Sequence, residues 1–199
     1  MIDQSFYAHP SSIVDEDCTV GRGTRIWAGS HVMKDAVIGQ NCNIGEHCFI
    51  EGGVSIGSHV TIKNNVALYD GAVVEDDVFL GPSCVFTNVI NPRAFIPRKS
   101  EFQKTIVRKG ASIGANATLI CGHTVGKYAF VGAGAVVSHD IPDYALVYGT
   151  PATLHGWVCK CGCKLNFVEQ NSVCAECGSM YRLDANASSI SAVTEYEKK

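Results

Sequence analysis

Aliphatic residues recur every six positions along most of this chain. Val14, Val20, Ile26, Val32, Ile38, Ile44, Ile50, Ile56, Ile62, Leu68, Val74, Leu80 and Phe86 keep the step unbroken. A second series, Val107, Ile113, Leu119, Val125, Val131 and Val137, takes it up again. Four residues after each member of the first series stands a small or β-branched residue, from Cys18, Thr24, Ser30 and Ala36 through Cys42, Cys48, Val54, Val60, Val66, Ala72 and Val78 to Cys84. Helices repeat about every 3.6 residues and strands every two, so neither yields this period. A short strand plus a corner does, and three such units close one triangular coil. The aliphatic column fills the prism, the small column lies inward where the wall bends, and the fold class is all-β, a parallel β-helix of hexapeptide repeats. The two series amount to about six coils, a prism roughly 30 Å tall at the inter-strand spacing.

At 199 residues and 46% apolar content the chain buries a sizeable core as one main domain. A net charge of −3 without basic runs argues against nucleic acid as a partner. There is no apolar stretch near 18 residues and no basic-then-apolar start. A cytoplasmic protein without membrane insertion is expected. The cysteines of the small column, Cys18, Cys42, Cys48 and Cys84, read as compact hydrophobes and not as disulfide partners.

The spacing breaks between Phe86 and Val107, so a loop of residues 87–106 is inserted at one corner. Its first nineteen residues, TNVINPRAFIPRKSEFQKT, carry two Pro-Arg pairs and no glycine, as an ordered gripping arm would. The prism with its N-terminal cap is expected over 1–157, a cysteine-rich piece over 158–185 and a flexible tail over 186–199. The residue after each aliphatic is read as the sharp corner that favours glycine. One edge then carries Gly21, Gly39, Gly57 and Glu75, whereas the others carry Trp27, Gly45, Lys63 and Gly81, and Met33, Glu51, Tyr69 and Thr87. Large side chains at corners add nothing to the core, and two decorated edges beside an arm read as half-sites. The bland alternative for each is surface variation. Above Asn88, Cys121 and Gly122 share its corner, while Ala115 and Ala133 lie above Lys63. These small residues are expected to leave backbone amides open along a groove.

The repeat [LIV]-[GAED]-x-x-[STAV]-x resembles the hexapeptide-repeat acyltransferases. That resemblance implies a left-handed β-helix, a homotrimer and acetyl-CoA as cosubstrate. The segments GTRIW, IKNNVALYDG, GPSCVFTNVINPRAFIPRK and CGHTVGKYAFVGAGAVV, over about residues 7–157, are similar to N-acetyltransferases acting on the 3-amino group of UDP-2-acetamido-3-amino-2,3-dideoxy-glucuronate in surface polysaccharide synthesis. The resemblance implies that Asn88 holds the sugar amine and is the catalytic residue. The segment around Arg98 meets the sugar carboxylate, by backbone N–H or by the guanidinium, with Arg93 either assisting or only fixing the loop, and Trp27, Lys63, Asn65 and Tyr69 grip the nucleotide. CoA lies beside Cys121, Gly122 and Ala133, between subunits. The related alternative is an N-acetyltransferase of a dTDP-3-amino-3,6-dideoxyhexose, whose sugar lacks a carboxylate and leaves Arg98 without that role.

Attack of a neutral amine on a thioester needs positioning more than side-chain chemistry. Some acyltransferases of this fold use a histidine base, but His123 falls on the small inward column and reads as a core or corner histidine. The resemblance implies no side-chain base, with the departing thiolate taking the proton. A γ-type carbonic anhydrase needs two histidines separated by four residues, a spacing no pair here has. A non-catalytic β-helix scaffold would have no use for Asn88 or the arm. Beyond the last hexad, Cys174-x-x-Cys177-Gly has zinc-knuckle spacing, whereas Cys159-x-Cys161 is irregular. These four cysteines are the expected ligands of a structural zinc, with a reduced, metal-free hairpin as the alternative.

Overall fold

The computed structural model describes residues 5–195. Strands mostly two residues long stack into three parallel sheets, each strand pairing with the strand one coil away. Along the first sheet Ile26 lies over Ile44, Ile44 over Ile62, Ile62 over Leu80, Leu80 over Ile113 and Ile113 over Val131. The aliphatic column is buried from Ile26 to Val137, where it forms one continuous core cluster, and Val14 and Val20 of the first coils are partly buried against it. Each buried aliphatic side chain is worth about 1.5–3 kcal/mol, so the ladder itself supplies the drive to coil. Pairing resumes across the insertion as though nothing intervened: Ala72–Val74 pairs with Thr105–Val107.

The solenoid is longer than the two hexad series indicate. Tyr7–Ala8 opens the first sheet beneath Arg25–Ile26, with Ala8 in the place of an aliphatic. At the other end Ala145–Tyr148 adds a parallel strand, and Thr153–Trp157 folds back antiparallel over it.

The corner chemistry differs from the expectation. Left-handed backbone falls three residues after each aliphatic, at Asp35, Asn41, His47, His59, Asn65, Asp77, Ser83, Asn116 and Tyr128, with φ between 54° and 64°. Asn and Asp tolerate that conformation best after glycine. Glycine directly after the aliphatic serves stacking instead: a Cβ on Gly39 would sit 2.5 Å from the Gly57 carbonyl carbon one coil away. In the small column Thr24 and Ser30 are buried but satisfied. Each hydroxyl donates to a carbonyl of the next coil and accepts a backbone N–H from it. Cys42, Cys48 and Cys84 are buried as compact apolar residues, whereas Cys18 in the first coils is only partly covered.

Beyond Trp157 the chain forms a three-stranded antiparallel sheet of Asn171–Val173, Met180–Leu183 and Ile190–Thr194. The last of these strands corrects the expected flexible tail over 186–199. Ile190 is buried, and Glu195 accepts a hydrogen bond from the Tyr144 hydroxyl at 2.9 Å, so the β-branched Ile190, Val193 and Thr194 outweigh the small, polar appearance of the segment. The rest of that tail, past 195, lies outside the described residues. No helix among the described residues is long and apolar enough to cross a membrane.

Candidate functional site

The inserted arm leaves the prism after Val85–Phe86 and rejoins it at Thr105–Val107. Its base is closed by backbone bonds. Gln103 N–H donates to the Asn88 carbonyl at 2.9 Å, and Gly122 N–H donates to the Lys104 carbonyl at 3.0 Å. Gly122 has φ +89°, a conformation that favours glycine, and a Cβ there would also push the Gln103 side-chain oxygen aside. Asn88 is therefore half-buried in a rigid collar whose members are Gln103, Lys104, Gly122 and Thr87.

Two hollows flank the arm. One of about 510 Å³ lies between the arm and the third edge and is lined by Met33, Lys34, Glu51, Asp70, Lys99 and Phe102. Another of about 290 Å³ lies within the arm and is lined by Val89, Arg93, Ile96, Arg98, Lys99 and Phe102. Lys34, Lys99 and Phe102 escaped notice in the sequence. Lys34 is an ordinary surface lysine by pattern, and the other two gain meaning only when the arm folds back over the edge.

The expected site residues separate into two groups. Tyr69 is one coil below Thr87, since Ala67 pairs with Val85, and so belongs with Asn88. Trp27 and Lys63 lie on the edge across the second sheet from Asn88, two coils apart from each other, because Ile26 pairs with Ile44 and Ile44 with Ile62. Trp27 is anchored by its indole N–H to the Asn43 side-chain oxygen at 2.8 Å and packs edge-on against Tyr7. Asn65 is one of the left-handed corner residues, φ 62°, which accounts for its identity without a ligand. One chain does not bring the two groups together.

The two arginines of the arm are placed differently from each other. The Arg98 guanidinium donates to both Glu101 carboxylate oxygens, at 2.8 and 2.7 Å, over the short 3-10 turn Lys99–Glu101. Its side chain is 25% exposed, and its buried Nε has no hydrogen-bond partner among the described residues. Arg98 thus braces the arm. Arg93 is exposed and reaches only the neighbouring Pro92 carbonyl, at 3.3 Å.

The open amides expected near Cys121 and Gly122 are not open. Cys121 N–H donates to the Thr87 hydroxyl at 2.9 Å, its thiol is buried, and Gly122 N–H is the arm-closing donor. Stacking coils consume backbone donors wherever the ladder continues. Ala133, in contrast, is exposed on its corner. His123 does not point into the core: its ring is too large for the inward column, and the side chain is 31% exposed. Its Nδ1 lies 3.7 Å from Asp140 Oδ1, too far for a good hydrogen bond, and that oxygen already accepts the Thr124 amide at 2.8 Å. The four ribbon cysteines Cys159, Cys161, Cys174 and Cys177 do meet, beyond the last coil and apart from the arm.

The chain matches the bacterial transferase hexapeptide family over residues 7–52 and the hexapeptide repeat of succinyl-transferase over 36–70 and 105–139. The gap between the last two matches contains the arm. The dTDP-3-amino-3,6-dideoxy-α-D-galactopyranose 3-N-acetyltransferase of Aneurinibacillus thermoaerophilus is 51% identical over 90% of this chain and 92% of that protein. A hexapeptide-repeat acetyltransferase from Vibrio cholerae O1 biovar eltor, solved with acetyl coenzyme A, is 27% identical, covers 57% of this chain and 69% of its own, and has a TM-score of 0.49. A hexapeptide transferase family protein of Anaplasma phagocytophilum shares the fold at a TM-score of 0.53 and 15% identity, covering 77% of this chain and 80% of its own. With half of its residues shared with a 3-N-acetyltransferase over nearly the whole length of both, this chain belongs to the hexapeptide-repeat family of acetyl-CoA-dependent sugar-nucleotide N-acetyltransferases.

Proposed function

We propose that the protein transfers the acetyl group of acetyl-CoA to the 3-amino group of a dTDP-linked 3-amino-3,6-dideoxyhexose. The observation that carries this reading is the 51% identity, sustained over 92% of the relative's length, to an enzyme named for that chemistry. The arm supports it. The Arg98 guanidinium, expected to face a uronate carboxylate, is already held by Glu101. The dTDP sugar therefore takes the place of the UDP-linked uronic acid expected from the sequence segments.

In this reading the half-buried Asn88 accepts a hydrogen bond from the sugar amine through its side-chain oxygen, aiming the nitrogen lone pair at the thioester carbonyl carbon. The new N–C bond forms, the C–S bond breaks, and the CoA thiolate leaves with the proton lost by the amine. Positioning of this kind supplies much of the rate when the nucleophile is already neutral. Asp140 accepts the Thr124 amide and orients His123 poorly, and this reading uses no histidine base. Trp27 and Lys63 serve the nucleotide from a neighbouring subunit of a homotrimer, in which the edge of one chain faces the arm of the next.

The test is release of CoA thiol with dTDP- and UDP-linked 3-amino sugars, with and without a carboxylate at C5. The expected result is a kcat/KM at least about tenfold higher for the dTDP deoxyhexose, the scale of one substrate contact. Preference for the UDP uronate overturns the substrate, and no thiol release with any 3-amino sugar overturns the reaction.

A further inference from the structure

We propose that Cys159, Cys161, Cys174 and Cys177 hold one structural zinc ion, and that this ion fastens the C-terminal ribbon over the open end of the β-helix. The four sulfurs come from two separate turns yet all lie within 4.8 Å of one another. Cys159 and Cys177 are 3.4 Å apart and Cys161 and Cys174 3.5 Å. Zinc–thiolate bonds of about 2.3 Å set the edge of a tetrahedron at about 3.8 Å, so small shifts seat one ion equidistant from all four. With four thiolates the coordination is closed, which fits a structural ion and leaves no open position for substrate.

The backbone of both turns is built to aim the sulfurs. Gly162 N–H donates to the Cys159 carbonyl and Cys159 N–H to the Cys163 carbonyl, both at 2.8 Å. Gly178 N–H donates to the Cys174 carbonyl at 2.9 Å, and Cys174 N–H to the Ser179 carbonyl at 2.8 Å. Gly162 and Gly178 hold φ of 93° and 76°, a conformation other residues resist. These loops account for the irregular Cys159-x-Cys161 spacing. The tight turn brings Cys159 and Cys161 to the same side, and Cys163, two residues on, stays outside the cluster.

What lies around the sulfurs says what the ion does. The buried Tyr181 places its hydroxyl 3.2 Å from Cys159 Sγ and accepts the Lys160 amide at 3.0 Å. Its ring packs edge-on against Tyr144, 5.5 Å between centroids, and Tyr144 stacks on Tyr128, a corner residue of the prism, at 5.3 Å. Val158 N–H donates to the Tyr144 carbonyl at 2.8 Å. The cluster is thus joined through Tyr181 and Tyr144 to the last coils. There the ladder ends and its exposed edge needs covering. The buried phenol is the kind of hydrogen-bond donor that holds a metal-bound thiolate in place.

The experiment uses the full-length protein. Metal analysis of protein purified without added metal should give about one zinc per chain. Removing it with a strong chelator and titrating with Co²⁺ should produce the intense thiolate-to-metal absorption and visible bands of a tetrahedral thiolate site, saturating at about one equivalent. Hydrogen exchange should rise about tenfold or more in residues 158–183 after metal removal, while strands such as Thr61–Ile62 stay protected. Cys161→Ser should lose the metal, whereas Cys163→Ser should keep it. Metal-free protein with a protected ribbon, iron in place of zinc, Co²⁺ spectra without thiolate bands, or loss of metal in Cys163→Ser would each overturn the proposal. The Co²⁺ titration reads the wild-type chain, so the test does not depend on the folding of a variant, and it is independent of which sugar the enzyme acetylates.

Discussion

The backbone amide of Gln103 donates to the carbonyl of Asn88 at 2.9 Å, so residues fifteen apart in sequence form the neck of the inserted arm. Thr105 N–H then donates to the Gly71 carbonyl at 3.1 Å and the prism resumes. The proposed reacting centre is thereby held by the continuous ladder, and the arm is free to vary in length without shifting it. A site supported by strands is more rigid than one carried on a loop tip.

Asn88→Ala should lower kcat/KM by about ten- to a thousandfold, the scale of one lost positioning contact, with an unchanged far-ultraviolet spectrum and thermal midpoint. Steady-state thiol release checks this. Near-normal activity would remove Asn88 from the reaction.

His123→Asn should cost less than about tenfold, because the Asp140 oxygen nearest the ring is engaged by the Thr124 amide. The decisive measurement is the pH profile of kcat/KM. A limb of the profile that disappears in the variant, together with loss of activity, would make His123 the base.

Arg98→Gln should loosen the arm with little change in global stability. The Glu101 end of the pair is half exposed, so the ion pair contributes about 0–1 kcal/mol even in good geometry. Faster proteolysis or hydrogen exchange within 93–102 is the expected readout, with a raised KM for the sugar nucleotide and no change in preference between uronate and deoxyhexose. A loss confined to carboxylate-bearing substrates would restore the uronate reading.

Gly39→Ala should destabilise by about 1–3 kcal/mol, the range for overpacking, because its Cβ has no room beside the Gly57 carbonyl. Chemical denaturation measures it. Gly134→Ala is a useful contrast, since nothing lies within 4 Å of a Cβ there and its cost comes from the φ of +69° alone.

Burial pushes the Cys84 thiol from the usual 9.0 up to about 12, and Cys42 and Cys48 are raised for the same reason. The folded state therefore keeps protons that the unfolded chain releases. Stability from Cys84 is present in full below pH 9.0, falls as the pH rises above it, and is lost by about pH 12. Thiol titration at pH 8 should leave these three unmodified until denaturant is added. Reaction in the native state would place them outside the core.

The prism was legible in the sequence because its rule is local and repeated: each coil restates the same aliphatic and small positions, and Ile62 is buried for the same reason as Ile26. The arm was legible as an interruption of that rule. The four ribbon cysteines were legible as a set because they crowd into one short stretch beyond the last hexad, and the Cys174-x-x-Cys177-Gly spacing is a metal-ligand spacing. Two things were misjudged locally. The left-handed corner falls three residues after the aliphatic, as Asn65 and Tyr128 show, and glycine after the aliphatic answers to the neighbouring coil, as Gly39 shows.

Sequence periodicity by itself determined the coil, the direction of its core and the place of the arm, since a six-residue repeat of apolar side chains has few other ways to leave water. Tertiary structure decided the rest. It bound Arg98 to Glu101, committed the Cys121 and Gly122 amides to arm closure, turned His123 outward, and separated Trp27 and Lys63 from Asn88 by a whole sheet. Those outcomes depend on which groups the folded arm and the next coil bring within hydrogen-bonding reach, and residues one coil or one arm apart carry no local mark of that meeting.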